Sequence, residues 1–224
     1  PPFNISDWGQ EKLLDDSRWK YGIPPKGNAN YAWLEHMVSK LSINGKAAII
    51  LANGALSASG EESKIRQNLL EADLVDCILS MPSNLFYTVT IPCSIWILNR
   101  NKKQKGKTLF IDARNLGTMV NRKLRELCEE DILKIADTYQ KNQNNNYYED
   151  IKGFCKASSL DDIKTNNYVL TPGRYVGNED VEDDGISFEE KMKTITSELS
   201  KQFEESKNLE EEIRQSLENL GYGI

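Results

Sequence analysis

The residues able to do chemistry in this chain are few and unevenly spread. It opens Pro1-Pro2-Phe3. Each proline ring fixes φ, so the pair is stiff and holds out an aromatic ring from a rigid stretch. Taken alone the tripeptide is equally a stiff turn. A second aromatic group, Leu85-Phe86-Tyr87, sits within SNLFYTVTIP. It either plugs the core beneath a loop, because aromatics bury readily, or it walls a pocket. Asp112 and Arg114 in FIDAR look like an acid beside a base, although a structural ion pair or a strand-end cap explains them better. His36 is the single histidine and falls near a predicted helix surface. Lys102, Lys103, Lys105 and Lys107 make a basic segment, read first as a solvated turn and alternatively as a contact for phosphates. Asn53-Gly54 in LANGAL is a standard turn pair. The four cysteines, Cys77, Cys93, Cys128 and Cys155, form no CxxC pair. With one histidine, that argues against a zinc site. Scattered cysteines of this kind suit reduced thiols in a cytoplasmic protein.

These residues need elements to hold them. Residues 1–30 are rich in Pro, Gly and Asn and read as a long loop, with one short helical piece around Glu11–Asp16. Residues 31–42 place Trp33, Leu34, Met37, Val38 and Leu41 on one helical face, with Asn30 as N-cap. Ala47–Leu51 is a short continuous apolar run, as in a strand buried on both faces. Ser59 and Glu62 have capping-box spacing ahead of a helix whose buried stripe is Ile65, Leu69 and Leu70. LVDCILSMP, CSIWILNR and TLFIDAR give three further strands, and residues 121–137 another helix. NQNNNYY reads as a polar loop, and Ser159 caps a short helix. Helices alternating with buried strands predict an α/β sheet.

The charge is divided. The formal net is −6, yet residues 178–224 hold 14 acidic and 5 basic residues, so residues 1–177 carry a small positive net. The acidic balance therefore does not exclude a polyanionic partner for the body. No stretch approaches the roughly 18 apolar residues of a membrane span. Asn178–Gly185 reads as an acidic hinge. From Ser187 to Leu220 the pattern is one long helix, with Met192, Ile195, Leu199, Leu209, Ile213 and Leu220 at heptad positions that Gln202, Ser206 and Ser216 interrupt.

Longer segments carry a family resemblance. RWKYGIPPKGNANYAWLEHM, LANGAL, EESKIRQNLLEADLVDCILSMPSNLFYTVTIPCSIWILNRNK, KTLFIDARNLG, DILKIADTY and GFCKASSLDDIKTNNYVLTPGRYVG resemble the modification (M) subunit of type I restriction-modification systems, in linear order over residues 1 to 177. Pro1-Pro2-Phe3 is similar to the last three residues of that family's Asn-Pro-Pro-Phe motif. The resemblance implies a doubly wound, Rossmann-like class I methyltransferase sheet, of which this chain holds the C-terminal half, followed by a helical C-terminal tail. It implies adenine-N6 methylation of DNA, with S-adenosylmethionine as donor. In that motif hydrogen bonds from the target amine align its lone pair with the methyl group, and the aromatic residue stacks on the flipped base. Pro1, Pro2 and Phe3 are thus the expected catalytic residues, and Phe86 and Tyr87 the expected wall of the target-base pocket, opposite Phe3. The catalytic asparagine, the glycine-rich cofactor loop and the ribose-binding acid of the family have no counterpart here. The cofactor-binding residues are expected to be absent, and the chain to be an inactive C-terminal portion.

The implied organisation is residues 1–118 from the catalytic domain, 119–177 as a family-specific extension, and 178–224 as hinge and subunit-contacting helix. The implied partners are DNA, the specificity (S) subunit, a second M subunit and the restriction (R) subunit, with no membrane. Arg174 in TPGRY faces either DNA or another subunit. The competing reading is a non-catalytic M-like assembly module that docks on S-subunit helices.

Overall fold

The computed structural model describes residues 1–144, 147–178 and 187–222. The chain divides into two units, Pro1–Asp180 and Val181–Ile224. In the first unit α1 (Asn30–Lys40), β1 (Lys46–Ala52), α2 (Glu61–Glu71), β2 (Val75–Ser80), β3 (Cys93–Asn99) and β4 (Lys107–Asp112) follow in order. A short hairpin, β5 (Thr118–Met119) and β6 (Arg125–Glu126), precedes α3 (Glu129–Asn144). Then come β7 (Cys155–Ser159), α4 (Leu160–Thr165) and α5 (Gly173–Val176). The result is an α/β unit around a mixed five-stranded sheet of order β1-β3-β2-β4-β7. β3 runs antiparallel to both β1 and β2, β2 is parallel to β4, and β7 closes the far edge antiparallel to β4. β1, β2 and β4 therefore point the same way, and their carboxyl ends share one edge of the sheet.

Strand alternation sorts the core into two layers. Ile78, Trp96, Leu98 and Phe110 join Tyr31, Leu34, Val38, Ile65 and Leu69 of α1 and α2 in one cluster. Cys77, Leu79, Leu109 and Ile111 point the other way, where Ile135 and Tyr139 of α3 cover them. Burying each of the larger aliphatic side chains contributes about 1.5–3 kcal/mol, so these layers outweigh any surface pairing. Arg66 ties the first layer together. It is 1% exposed, and its guanidinium donates to the carbonyls of Tyr168 at 2.6 Å and Ala58 at 2.8 Å, and to the Tyr31 hydroxyl at 3.3 Å.

Several sequence expectations need correction. Ala47–Leu51 is not buried on both faces: Ile49 and Leu51 are buried, but Ala48 and Ile50 are exposed. Among the described residues β1 pairs on one side only, with β3. The Ser59–Glu62 capping box does not form, because α2 starts one residue too late for it. Gly60 is the N-cap at φ 67°, and no side chain caps it. Asn30 is the first residue of α1 rather than its cap. Residues 121–128 are not helical: Asn121 Oδ1 accepts from the N–H groups of Lys123 and Leu124, a local turn that competes with helix. Ser159 caps α4 in a reciprocal box with Asp162, as its sequence predicts. Further along the chain Tyr175 stacks flat on Phe110 at 3.8 Å. The asparagine-rich loop begins later than expected, since Asn142–Asn144 end α3, and the acidic hinge at 179–185 lies outside the described residues.

The second unit is α6 (Phe188–Asn219), 32 residues long. Ser187 caps it: its Oγ accepts from Glu190 N–H and the Glu190 carboxylate accepts from Ser187 N–H. No helix among the described residues is long and apolar enough to cross a membrane.

Candidate functional site

The carboxyl-end edge of the sheet carries three of the segments singled out above. β1 ends in Asn53-Gly54, β2 runs into the 82–92 loop, and β4 ends in Asp112–Arg114. In open α/β sheets this edge is where ligands bind. β3 enters from the same side at Cys93, and the Met81 N–H donates to the Cys93 carbonyl at 2.9 Å, closing the neck of the loop. Asn84 holds the loop further: its N–H donates to the Thr90 carbonyl and its carbonyl accepts from Arg125 N–H.

Within that loop the three aromatic-cluster residues have different fates. Leu85 packs on the second core cluster. Phe86 is 36% exposed, and Tyr87 is 84% exposed. The plug is therefore Leu85, and the Tyr87 ring projects beyond the core. Phe3 packs on the same cluster as Leu85, together with Met81, Cys93 and Ala113 at the carboxyl-end edge. Pro1 and Pro2 are exposed ahead of it. Two asparagines fix the segment behind Phe3. Asn4 N–H donates to Asn30 Oδ1 at 3.1 Å, and Asn30 Nδ2 donates back to Asn4 Oδ1 at 2.9 Å. The Ala29 N–H adds a bond to the Ile5 carbonyl at 2.8 Å. The start of the chain is thus tied to the start of α1.

Asn53 opens a single 3-10 turn after β1, as its sequence suggested. Its Oδ1 is buried and accepts no hydrogen bond, a costly state for an amide oxygen. Spacing gave no signal of that orphan. Asp112 and Arg114 form a bidentate pair, with Nε–Oδ1 at 2.8 Å and Nη2–Oδ2 at 2.6 Å, as a structural ion pair would. A Cβ on Gly173 would meet Arg114 Nη2 at 2.9 Å and Asp112 Oδ2 at 3.4 Å, so α5 passes close over that pair.

Lys102 departs from both readings of the lysine segment, while Lys103, Lys105 and Lys107 are exposed, as in a solvated turn. Lys102 is 3% exposed, and its ammonium donates to Asp73 Oδ1 at 2.6 Å and to the carbonyls of Val75 at 2.9 Å and Lys107 at 2.5 Å. It staples the β3–β4 turn and reaches neither solvent nor phosphate. His36 Nδ1 lies 2.9 Å from Arg18 Nη1. Arginine only donates, so Nδ1 accepts and the hydrogen sits on Nε2. Arg174 is exposed. All four cysteines are free thiols, with Cys128 alone exposed. Among the described residues no cluster of His, Cys, Asp and Glu could hold a metal ion.

Comparison with known proteins adds a consistent picture. The N-6 DNA Methylase family model matches residues 1–184. The chain is 52% identical to the type I restriction enzyme HindI methylase subunit of Haemophilus influenzae, over 99% of this chain and 50% of that protein. It is 43% identical to the type I restriction enzyme MjaIX methylase subunit of Methanocaldococcus jannaschii, over 99% of this chain and 41% of that protein. The chain thus spans half or less of the length of these relatives. Among solved structures, the methyltransferase subunit of a type I restriction-modification system from Streptococcus thermophilus superposes with a TM-score of 0.71 at 30% identity, covering 79% of this chain and 36% of that one.

Proposed function

This chain belongs to the N-6 DNA methylase family, and from that premise we propose that it supplies the target-base side of a type I modification subunit that methylates adenine N6 in DNA. The observation that carries the proposal is the meeting of Phe3 and the 82–92 loop on one cluster at the carboxyl-end edge of β1, β2 and β4. Phe3 sits on a stiff Pro-Pro lead, Leu85 packs on the same cluster, and Phe86 and Tyr87 are exposed on the loop. An extruded adenine would stack on Phe3 and be walled by Phe86 or Tyr87, and Pro1 and Pro2 would hold the geometry. Such stacking is worth about 1–3 kcal/mol per base. The one-sided pairing of β1, with Ile50 left 37% exposed, supports reading this sheet as half of a larger doubly wound one.

The family uses S-adenosylmethionine, which would supply the methyl group. The described residues do not fit it. The turn after β1 is Asn53-Gly54, and the next helix has Glu61 and Glu62 in its first turn, where a cofactor carboxylate would need free donors. Methyl delivery is therefore assigned to no residue of this chain, and the isolated chain is expected to be inactive in the cytoplasm of its host unless assembled. The sequence to be methylated would be chosen by the S subunit, with α6 gripping its helices. A second M subunit and, for restriction, the R subunit would complete the complex.

The test is methyl transfer to DNA by the reconstituted full-length subunit with its S subunit. Phe86→Ala and Tyr87→Ala should lower kcat/KM by roughly 5- to 150-fold, from the lost stacking, with unchanged circular dichroism. Wild-type rates in both variants would remove the loop from the site. The 224-residue chain alone should neither transfer a methyl group nor bind S-adenosylmethionine tightly, and either activity would overturn the division of labour.

A further inference from the structure

The 6–40 region holds a second feature away from the Phe3 cluster. Trp8, Trp19 and Trp33 line a hollow of about 220 Å³ with Arg18 and His36. Trp8 and Trp19 meet edge to face at 5.8 Å. Both indole N–H groups are used internally, Trp8 on the Pro25 carbonyl at 3.0 Å and Trp19 on the Leu13 carbonyl at 2.5 Å. Those bonds fix both rings in place along the wall of the hollow, where each is half-buried. Trp33 is 37% exposed, large for a residue that simply fills a core. Directly beside this hollow is another of about 300 Å³, and Arg18 lines both. The second is basic and hydroxylic: Lys20, Lys40 and Arg100 line it with Ser17 and Ser39. Trp33, His36 and Lys40 follow one another at helical spacing, so the two hollows lie in sequence along α1.

The charges of the two hollows differ. Arg18 is neutralised by Asp16, which accepts from Nε at 2.8 Å and from Nη2 at 2.6 Å, and whose carboxyl that guanidinium holds down to about 2. Arg18 also lies 5.1 Å from the Trp19 ring centroid, so it acts as a flat wall rather than as free charge. Lys20, Lys40 and Arg100 have no carboxylate within salt-bridge distance among the described residues. An aromatic slot small enough for one ring system thus opens onto three unneutralised cations and two hydroxyls. A protein side chain would account for the slot but not for the cations. A phosphate alone would account for the cations but not for the tryptophans.

We propose that this pair of hollows is a nucleotide-unit site, distinct from the target-base site, in which one base stacks among Trp8, Trp19 and Trp33 and its phosphate lies against Lys20, Lys40 and Arg100. The indole faces take any base, and the His36 Nε2–H is a donor for a base edge. The source of the nucleotide is a strand of nucleic acid displaced near the protein, or a free mononucleotide of the same chemistry. Only the identity of that strand rests on the function proposed above.

Tryptophan emission of the 224-residue chain, titrated with dTMP, thymidine, inorganic phosphate and a short oligo(dT) in the absence of any methyl donor, tests this. The expected result is saturable quenching by dTMP and oligo(dT), weaker quenching by thymidine, and none by phosphate, which competes with dTMP. Tighter binding of oligo(dT) than of dTMP assigns the site to a strand, and equal binding assigns it to the free nucleotide. Trp33→Ala should weaken binding by roughly 5- to 150-fold. The double variant K20A/K40A, confined to surface side chains, should flatten the salt dependence of oligo(dT) binding by about 0.7 in log–log slope for each phosphate no longer neutralised. No saturable quenching by dTMP or oligo(dT), or binding unchanged in both variants, would overturn the proposal. Because no methyl donor is present, these outcomes are independent of whether the subunit methylates DNA.

Discussion

Asn4 and Asn30 exchange two hydrogen bonds across 26 residues, N–H to Oδ1 at 3.1 Å and Nδ2 to Oδ1 at 2.9 Å. Asn30 is 1% exposed, so these bonds are shielded from water. Asn4 sits at φ 54°, a left-handed conformation that asparagine tolerates better than most residues. The pair converts the flexible first residues into a fixed stretch and sets where Phe3 can go.

Asn30→Ala should therefore loosen the opening segment and destabilise the protein by about 1–3 kcal/mol, the cost of stranding buried partners. Urea unfolding would show a lower midpoint, and amide exchange at Asn4 would accelerate. A midpoint and an exchange rate both like the wild type would show that the segment is held by something else.

Glu35 gives the stability of the fold a pH dependence. It is fully buried, one oxygen accepts from Tyr21 N–H at 2.8 Å, and the other has no partner. Burial raises its pKa to about 7, against 4.5 for the free carboxyl. The folded state thus holds a proton that the unfolded state has already released. The stabilisation is complete below pH 4.5 and is lost as pH rises to 7, by at most about 3 kcal/mol at 1.36 kcal/mol per pH unit. Glu35→Gln keeps the acceptor for Tyr21 and should flatten this loss. Thermal melts across that window would show a wild-type Tm falling with pH and a variant Tm that does not follow. Parallel curves for the two proteins would refute the assignment.

Which of these features could be read from sequence depended on whether they are local. β2, β3 and β4 were legible because continuous apolar runs have few other uses, and the Ser159 cap because its box closes within four residues. The β5–β6 hairpin was not, since Arg125 is held by the carbonyls of Asn84 and Leu116, partners no local pattern reveals. Arg66 drew no notice in the sequence, yet it is a buried hub with a bond spanning 102 residues. The Trp8, Trp19 and Trp33 slot was equally hidden, because its walls come from a loop without periodicity. At the proposed target-base site, the aromatic residues could be picked out by type, but not that Leu85 plugs the core while Tyr87 projects.

Lys102 is expected to matter for folding and not for DNA. Lys102→Met removes an ammonium bonded to three oxygens and leaves the partly buried Asp73 without its cation. Breaking a buried pair from one side costs roughly 3–5 kcal/mol. Chemical denaturation should show that loss, and the salt dependence of DNA binding by the folded fraction should be unchanged. A reduced salt slope with normal stability would restore the reading of Lys102 as a phosphate ligand.

The tail makes its own prediction. Along α6 the side chains of Phe188, Met192, Ile195, Leu199, Phe203, Leu209 and Ile213 recur on one helical stripe, and all are exposed. Phe203 stands next to the interrupting Gln202 and keeps the stripe going, which the heptad count alone did not credit. Acidic residues fill much of the remaining surface, so the stripe suits a protein helix rather than a polyanion. Replacing Leu199 and Phe203 with Asp together puts two charges in the middle of the stripe and leaves the rest of the helix intact. Copurification of full-length M with its S subunit should then fall by at least about tenfold, the factor that 1.4 kcal/mol of lost binding gives, while the unfolding midpoint of the first unit stays the same. Assembly unaffected by L199D/F203D would show that the grip on S lies elsewhere.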